Sequence, residues 1–153
     1  MKYLAAVAAT VALIACSSGP KATLVRPDIE FVQLSGPADQ NYRPGRIEVQ
    51  YGLRIANRSS EPITLRQIQI QTTGAGGPYR LERATYYFDR EVKPDSYEDV
   101  TFWARAFASG DAFAIDAQAP VTIRAAAYFD AESGNFRQVF TKILNQSGGS
   151  VPQ

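Results

Sequence analysis

The sequence predicts an all-β protein, a single sandwich of about seven strands between residues 24 and 145. Three observations carry this. Apolar residues recur with period two in several separate stretches. Clusters of Gly, Pro, Asn, Asp and Ser, the residues that turns use, part those stretches. Once a short N-terminal segment and a polar tail are set aside, the remaining length suits one domain with a real core.

The elements follow in chain order. LVRPDIEFVQL, residues 24–34, supplies a first strand. In RIEVQYGLRIA, Ile47, Val49, Tyr51, Leu53 and Ile55 alternate with Glu48, Gln50, Gly52, Arg54 and Ala56, the pattern of a half-buried strand. NRSSEP makes the next turn. In ITLRQIQIQTT, Ile63 and Leu65 keep one phase while Ile68 and Ile70 keep the other, so a bulge or bend is expected near Arg66-Gln67. Gly74 to Pro78 reads as a loop, and YRLERATYYFDREV as one or two strands. After the polar turn KPDSYEDV, the strand Val100–Ala108 has apolar groups on both faces, which predicts a central position, and Ser109-Gly110-Asp111 breaks it. In PVTIRAAAYF, Val121, Ile123, Ala125, Ala127 and Phe129 point inward, and DAESGN closes a tight hairpin. In FRQVFTKIL, Phe136, Val139, Phe140 and Ile143 fit a helix face as well as a strand. The β-branched content and the preceding turn favour a strand. Residues 146–153 have the composition of a disordered tail.

The N-terminus reads as an address. Met1-Lys2 is a positive start, and Tyr3 to Ala12 is apolar but too short to span a bilayer, which takes about 20 residues. Leu13-Ile14-Ala15-Cys16 resembles the lipobox of bacterial lipoproteins. The resemblance implies a signal peptide over residues 1–15, cleavage before Cys16, and lipid on its thiol and new amine. It also accounts for a lone cysteine in an oxidising compartment, where a free thiol is a liability. Each buried methylene contributes about 0.8 kcal/mol, so two or three acyl chains make a lasting anchor. Residues 16–23 then form the lipidated cysteine and a tether, whose run Ser17 to Ala22 reaches roughly 20 Å. Serine at 17 and 18, where aspartate would resemble an inner-membrane retention signal, implies an outer-membrane location, facing the periplasm.

Composition excludes several functions. Without residues 1–15, which hold Lys2 and no acid, fifteen Lys and Arg face fifteen Asp and Glu, so a nucleic-acid partner is not expected. There is no histidine, which removes Ser-His-Asp and Cys-His catalysis and the commonest transition-metal ligand. No cofactor, metal or catalytic set is expected, and the chain is read as a non-enzyme.

YGLRIANRSSEPITLRQIQIQ, Tyr51 to Gln71, resembles the strand–N-x-S/N–Pro-Ile-x-Leu–strand signature of immunoglobulin-like sandwiches in the late-embryogenesis-abundant group-2, or WHy, set. It is similar also to other secreted bacterial immunoglobulin-like modules, and the hairpin Pro120 to Phe140 fits the same pattern. The family's Asn-Pro-Asn appears here as Asn57-Arg58-Ser59. The resemblance implies an immunoglobulin-like sandwich with binding or stress-protective roles, no catalysis, and a turn role for Asn57.

Four groups remain as candidate sites. Tyr86, Tyr97 and Trp103, with Tyr87 nearby, form the expected interaction patch, since Tyr and Trp are favoured at interfaces. Its partner would be an envelope protein or glycan. Asp95, Glu98 and Asp99 beside Tyr97 are the only acid cluster suggestive of glycan hydrolysis, which needs two converging carboxylates. A solvated turn is the simpler reading. Asp130 to Asn135 has oxygen ligands at alternate positions but lacks the length and terminal Glu of a calcium loop, so a hairpin turn is expected. Arg54, Arg58 and Arg66 form either a basic face or a set of solvated ion pairs. The sequons at Asn57 and Asn145 are expected to carry no glycan.

Overall fold

The computed structural model describes residues 25–36, 45–74, 77–108 and 119–145. The signal segment, Cys16, the tether, residues 109–118 and the tail lie outside the described residues. Eight strands follow in chain order: β1 Asp28–Ser35, β2 Gly45–Ala56, β3 Ile63–Thr72, β4 Tyr79–Arg80, β5 Ala84–Val92, β6 Tyr97–Ala108, β7 Val121–Ala131 and β8 Phe136–Leu144. They form two four-stranded sheets, β1-β2-β6-β4 and β5-β3-β7-β8, and all pairings are antiparallel. The sheets pack face to face around one core of inward residues.

The period-two stretches behave as their pattern requires. Val49, Tyr51, Leu53 and Ile55 of β2 are buried, as are Val121, Ile123, Ala125, Ala127 and Phe129 of β7. The phase slip in β3 is a bulge: the pairing to both β5 and β7 shifts between Leu65 and Gln67, which turns Ile68 and Ile70 back toward the core. Residues 136–144 are a strand, paired with β7 from Phe136↔Phe129 to Leu144↔Val121. The reason is packing. Phe136 stacks on Phe129 at 5.1 Å and Phe140 meets Phe31 at 6.0 Å across the sheets, which leaves Val139 and Ile143 outside.

The segment after Pro78, expected to make one or two strands, makes two, β4 and β5, in opposite sheets, which brings the count to eight. β6 is flanked by β2 along its whole length, but β4 covers only Phe107 and Ala108. β6 thus lies between two strands as expected, but its outward apolar residues, Trp103 and Phe107, are on the sheet face turned away from the second sheet and are exposed rather than buried.

The core contains a polar chain. Tyr79 donates its hydroxyl proton to Gln33 Oε1 at 2.5 Å and accepts from Tyr51 at 2.8 Å. Burial pushes the Tyr51 hydroxyl far above its ordinary pKa, so it stays protonated and serves as the donor. The same core holds small inward residues, Ala104 and Ala106 on β6 and Ala125 and Ala127 on β7.

One end of the sandwich is locked by Asn57. Its side chain donates to Glu61 O at 2.8 Å and Val92 O at 3.0 Å, and its Oδ1 accepts from Ser59 N at 2.9 Å. Its backbone N–H reaches Ser96 O at 2.9 Å. The β2–β3 link, the end of β5 and the β5–β6 turn thus meet on one fully buried residue. Glu61, also buried, extends the knot to the β7–β8 hairpin by accepting from Ser133 N at 2.9 Å and from the Ser133 hydroxyl. The implied turn residue is a junction of both sheets, and its burial leaves no room for a glycan.

Asn57→Ala removes both donors: the Val92 carbonyl loses its side-chain partner, worth about 1–3 kcal/mol, and the Glu61 carbonyl keeps only the Ser59 hydroxyl. A loss of about 3 kcal/mol in denaturant unfolding is expected. Asn57→Asp keeps the shape but cannot donate when ionised, so a similar loss is expected at neutral pH. Losses below about 1 kcal/mol for both would contradict this role.

Candidate functional site

Strand alternation sorts β6 into two faces. Val100, Phe102, Ala104, Ala106 and Ala108 enter the core, while Tyr97, Asp99, Thr101, Trp103, Arg105 and Phe107 face out. On the outward row Tyr97 is 63% exposed, Trp103 50% and Phe107 45%. This is an aromatic stripe along one strand, held flat because β2 pairs β6 without a break from Gly45↔Ala108 to Ala56↔Tyr97.

The ends of the stripe are fixed by arginines from β2. The Arg54 guanidinium lies 5.0 Å over the Tyr97 ring and grips Asp99 with two bonds, Nε–Oδ1 at 2.8 Å and Nη2–Oδ2 at 2.9 Å. That hydrogen bonding holds the Asp99 carboxyl below its ordinary pKa. At the other end Arg46 sits 6.0 Å over Phe107. Between them Gly52 has no side chain, and Val32 and Leu34 of β1 lean over it: a Cβ there would meet Val32 Cγ2 at 3.1 Å. An apolar shelf therefore adjoins the stripe.

A groove runs beside Trp103 and Phe107, with Tyr86 on its far wall and Arg46, Glu48, Glu82 and Arg105 supplying mixed charge. Tyr86 reaches it from the other sheet. Its ring packs on Phe102 at 4.7 Å, and the nearby Arg105 pulls against the rise in its hydroxyl pKa. Burial still raises the Tyr86 pKa. β5 thus covers the open edge of β6 with side chains rather than strand pairing. The result is a rigid aromatic wall beside charged groups of both signs, suited to stacking and hydrogen bonding with a flat or extended ligand.

The expected patch is brought together in part. Tyr86 and Trp103 share the groove. Tyr97 lies at the far end of the stripe, opposite Ala56, and Tyr87, 79% exposed, is on the other sheet. Phe107 belongs to the site and was missed. Its even spacing from Trp103, four residues along the strand, is the available signal, masked by the expectation of apolar burial on both faces of β6.

The acid cluster does not converge. Asp99 faces out and is tied to Arg54, Glu98 lies on the opposite face of β6, and Asp95 sits in the turn after Pro94 with φ 51°. Asp99, held below its ordinary pKa by Arg54, is the opposite of the raised carboxyl that a general acid requires. Asp130 of the hairpin binds Arg66 at 2.6 Å, and the turn closes through Gly134 N to Ala131 O at 3.0 Å. Arg54, Arg58 and Arg66 form no common face: each is paired with acid, Arg58 with Asp28 at 3.4 Å and Arg66 with both Asp89 and Asp130.

No family model matches the sequence, and no curated protein matches it. Solved structures do resemble it. A Northeast Structural Genomics Consortium target superposes with a TM-score of 0.51 at 14% identity, over 84% of this chain and 91% of its own. A Bordetella pertussis protein provisionally called ApaA gives 0.51 at 15% identity, over 82% and 98%. A protein from Archaeoglobus fulgidus gives 0.50 at 10%, over 76% and 91%. The likeness is one of fold.

Neighbouring residues on β6 separate core from site. Phe102→Ala removes a ring packed against Phe31, Tyr51, Tyr86 and Phe88 and is expected to lose about 3–5 kcal/mol. Trp103→Ala is expected to change stability by less than about 1 kcal/mol. Chemical denaturation of both variants checks the pair, and a Trp103 loss as large as that of Phe102 would place Trp103 in the packing.

Proposed function

We propose that this chain is a lipid-anchored protein of the bacterial envelope. Its sandwich is a non-catalytic binding module that presents the groove beside Trp103 and Phe107 to another envelope component. The observation that carries the reading is the exposed aromatic wall itself. Two large rings stay half-exposed on a strand whose pairing is unbroken, where packing gives no reason to keep them. Rigid aromatics with few rotatable bonds lose little entropy on binding, and the mixed charges around them favour a selected partner over general adhesion. The anchor reading rests on Leu13-Ile14-Ala15-Cys16, with the tether keeping the sandwich near the membrane surface.

The test is crosslinking in bacterial cells from the full chain, with a photo-reactive residue in place of Trp103, Phe107 or, as the control on the opposite sheet, Tyr87. A discrete adduct from Trp103 and Phe107 but not from Tyr87 is expected. Cys16→Ser should abolish incorporation of a fatty-acid label and the adduct together. Absence of an adduct from both groove positions, in cells where the protein is abundant and acylated, would overturn the binding reading. Unchanged labelling of Cys16→Ser would overturn the anchor.

A further inference from the structure

The outer face of the second sheet divides its charge. Around the bulge, Arg66 is occupied by Asp89 and Asp130. Farther along the same face, Arg83, Arg124 and Arg137 surround a depression of about 80 Å³, and none of them has an ion-pair partner among the described residues. The strands explain the gathering. Arg124 sits opposite Gln71 and Thr141, Arg137 sits opposite Tyr128, and the position between them on β7 is Ala126, flanked by Gln69 and Val139. A short side chain between long ones makes a floor over which two guanidinium groups can converge, and Arg83 closes the rim from the link before β5. The Tyr128 hydroxyl donates to Gln69 Oε1 at 3.4 Å, which leaves the Gln69 amide N–H groups as further donors.

We infer that this depression is an anion site for a phosphoryl group. A lone carboxylate is satisfied by one arginine fork, whereas three guanidinium groups match the charge and several acceptor oxygens of a phosphate monoester. The site is too small and too isolated for a nucleic-acid track, because the mature chain carries no basic surplus. The unpaired arginines repel one another, so a bound dianion relieves that repulsion as well as making new bonds. Arg83 lines both this depression and the groove beside Trp103, but Arg124 and Arg137 lie on the opposite sheet, so an inference tested at those two does not depend on the binding reading given for the groove. The phosphoryl group can come from a soluble compound or from a lipid headgroup.

The full chain carrying Cys16→Ser, which removes binding through its own lipid, is titrated with inorganic phosphate while the arginine Nε–H signals are followed by NMR. In parallel it is mixed with phosphatidylcholine vesicles with and without phosphatidate. Saturable shifts at Arg124 and Arg137 are expected. Arg124→Gln and Arg137→Gln should each weaken binding about ten-fold, and Arg58→Gln should leave it unchanged. All three side chains are exposed, and unchanged thermal midpoints would confirm that the fold is kept. Binding to phosphatidate vesicles that phosphate displaces assigns the site to a headgroup. Binding of phosphate without vesicle binding assigns it to a soluble compound. No saturable binding in either arm beyond that of equal chloride, or binding that both substitutions leave intact, would overturn the inference.

Discussion

Asn57 is the constraint on which the arrangement depends. A sandwich is held mainly by its buried apolar faces, but such burial has no direction and does not say how two sheets are clasped at their ends. A buried amide does. Its two N–H groups must find acceptors in fixed places, and here those are carbonyls at Glu61 and Val92. Because Asn57 directly follows β2 in one sheet and Val92 ends β5 in the other, one side chain ties the two sheets together at this end. The Glu61 carboxylate carries the same knot to the β7–β8 hairpin. With that end closed, the outer faces of the sheets are free of structural duty.

The two outer faces use that freedom differently. On the first sheet an unbroken β2–β6 ladder carries aromatics in a row, and arginines from β2 steady the outer members. On the second, the bulge at Leu65–Gln67 separates a neutralised Arg66 cluster from an arginine cluster beyond it that has no ion-pair partner among the described residues. Neither face uses a histidine, a thiol or converging acids. One is built on π-faces and the other on charge.

Much of the fold was legible because its signal is local. Strict alternation marked β2 and β7, and the slip at Arg66-Gln67 marked the bulge, since a side-chain period of two allows no other way to keep four isoleucines and leucines on one face. What stayed hidden depends on which strands become neighbours. Asn57 looks like any turn asparagine until Val92 and Ser96 are brought beside it. Arg54 and Asp99 are 45 residues apart and meet only through the β2–β6 register. Trp103 and Phe107 looked like the second buried face of a central strand, because the sequence does not reveal that only one face of this sheet is packed against another. Arg83, Arg124 and Arg137 share no sequence neighbourhood at all.

The claim that a buried loop-end junction frames the sandwich is tested most directly by amide hydrogen exchange on the full chain. The N–H groups of Asn57 and Ser59 lie outside the strands, yet they bond to Ser96 O and Asn57 Oδ1 within the junction. The account predicts that both exchange as slowly as amides in the centres of β2 and β6, by global unfolding alone. Exchange of these two at the rate of exposed loops, while the strand centres stay protected, would contradict it.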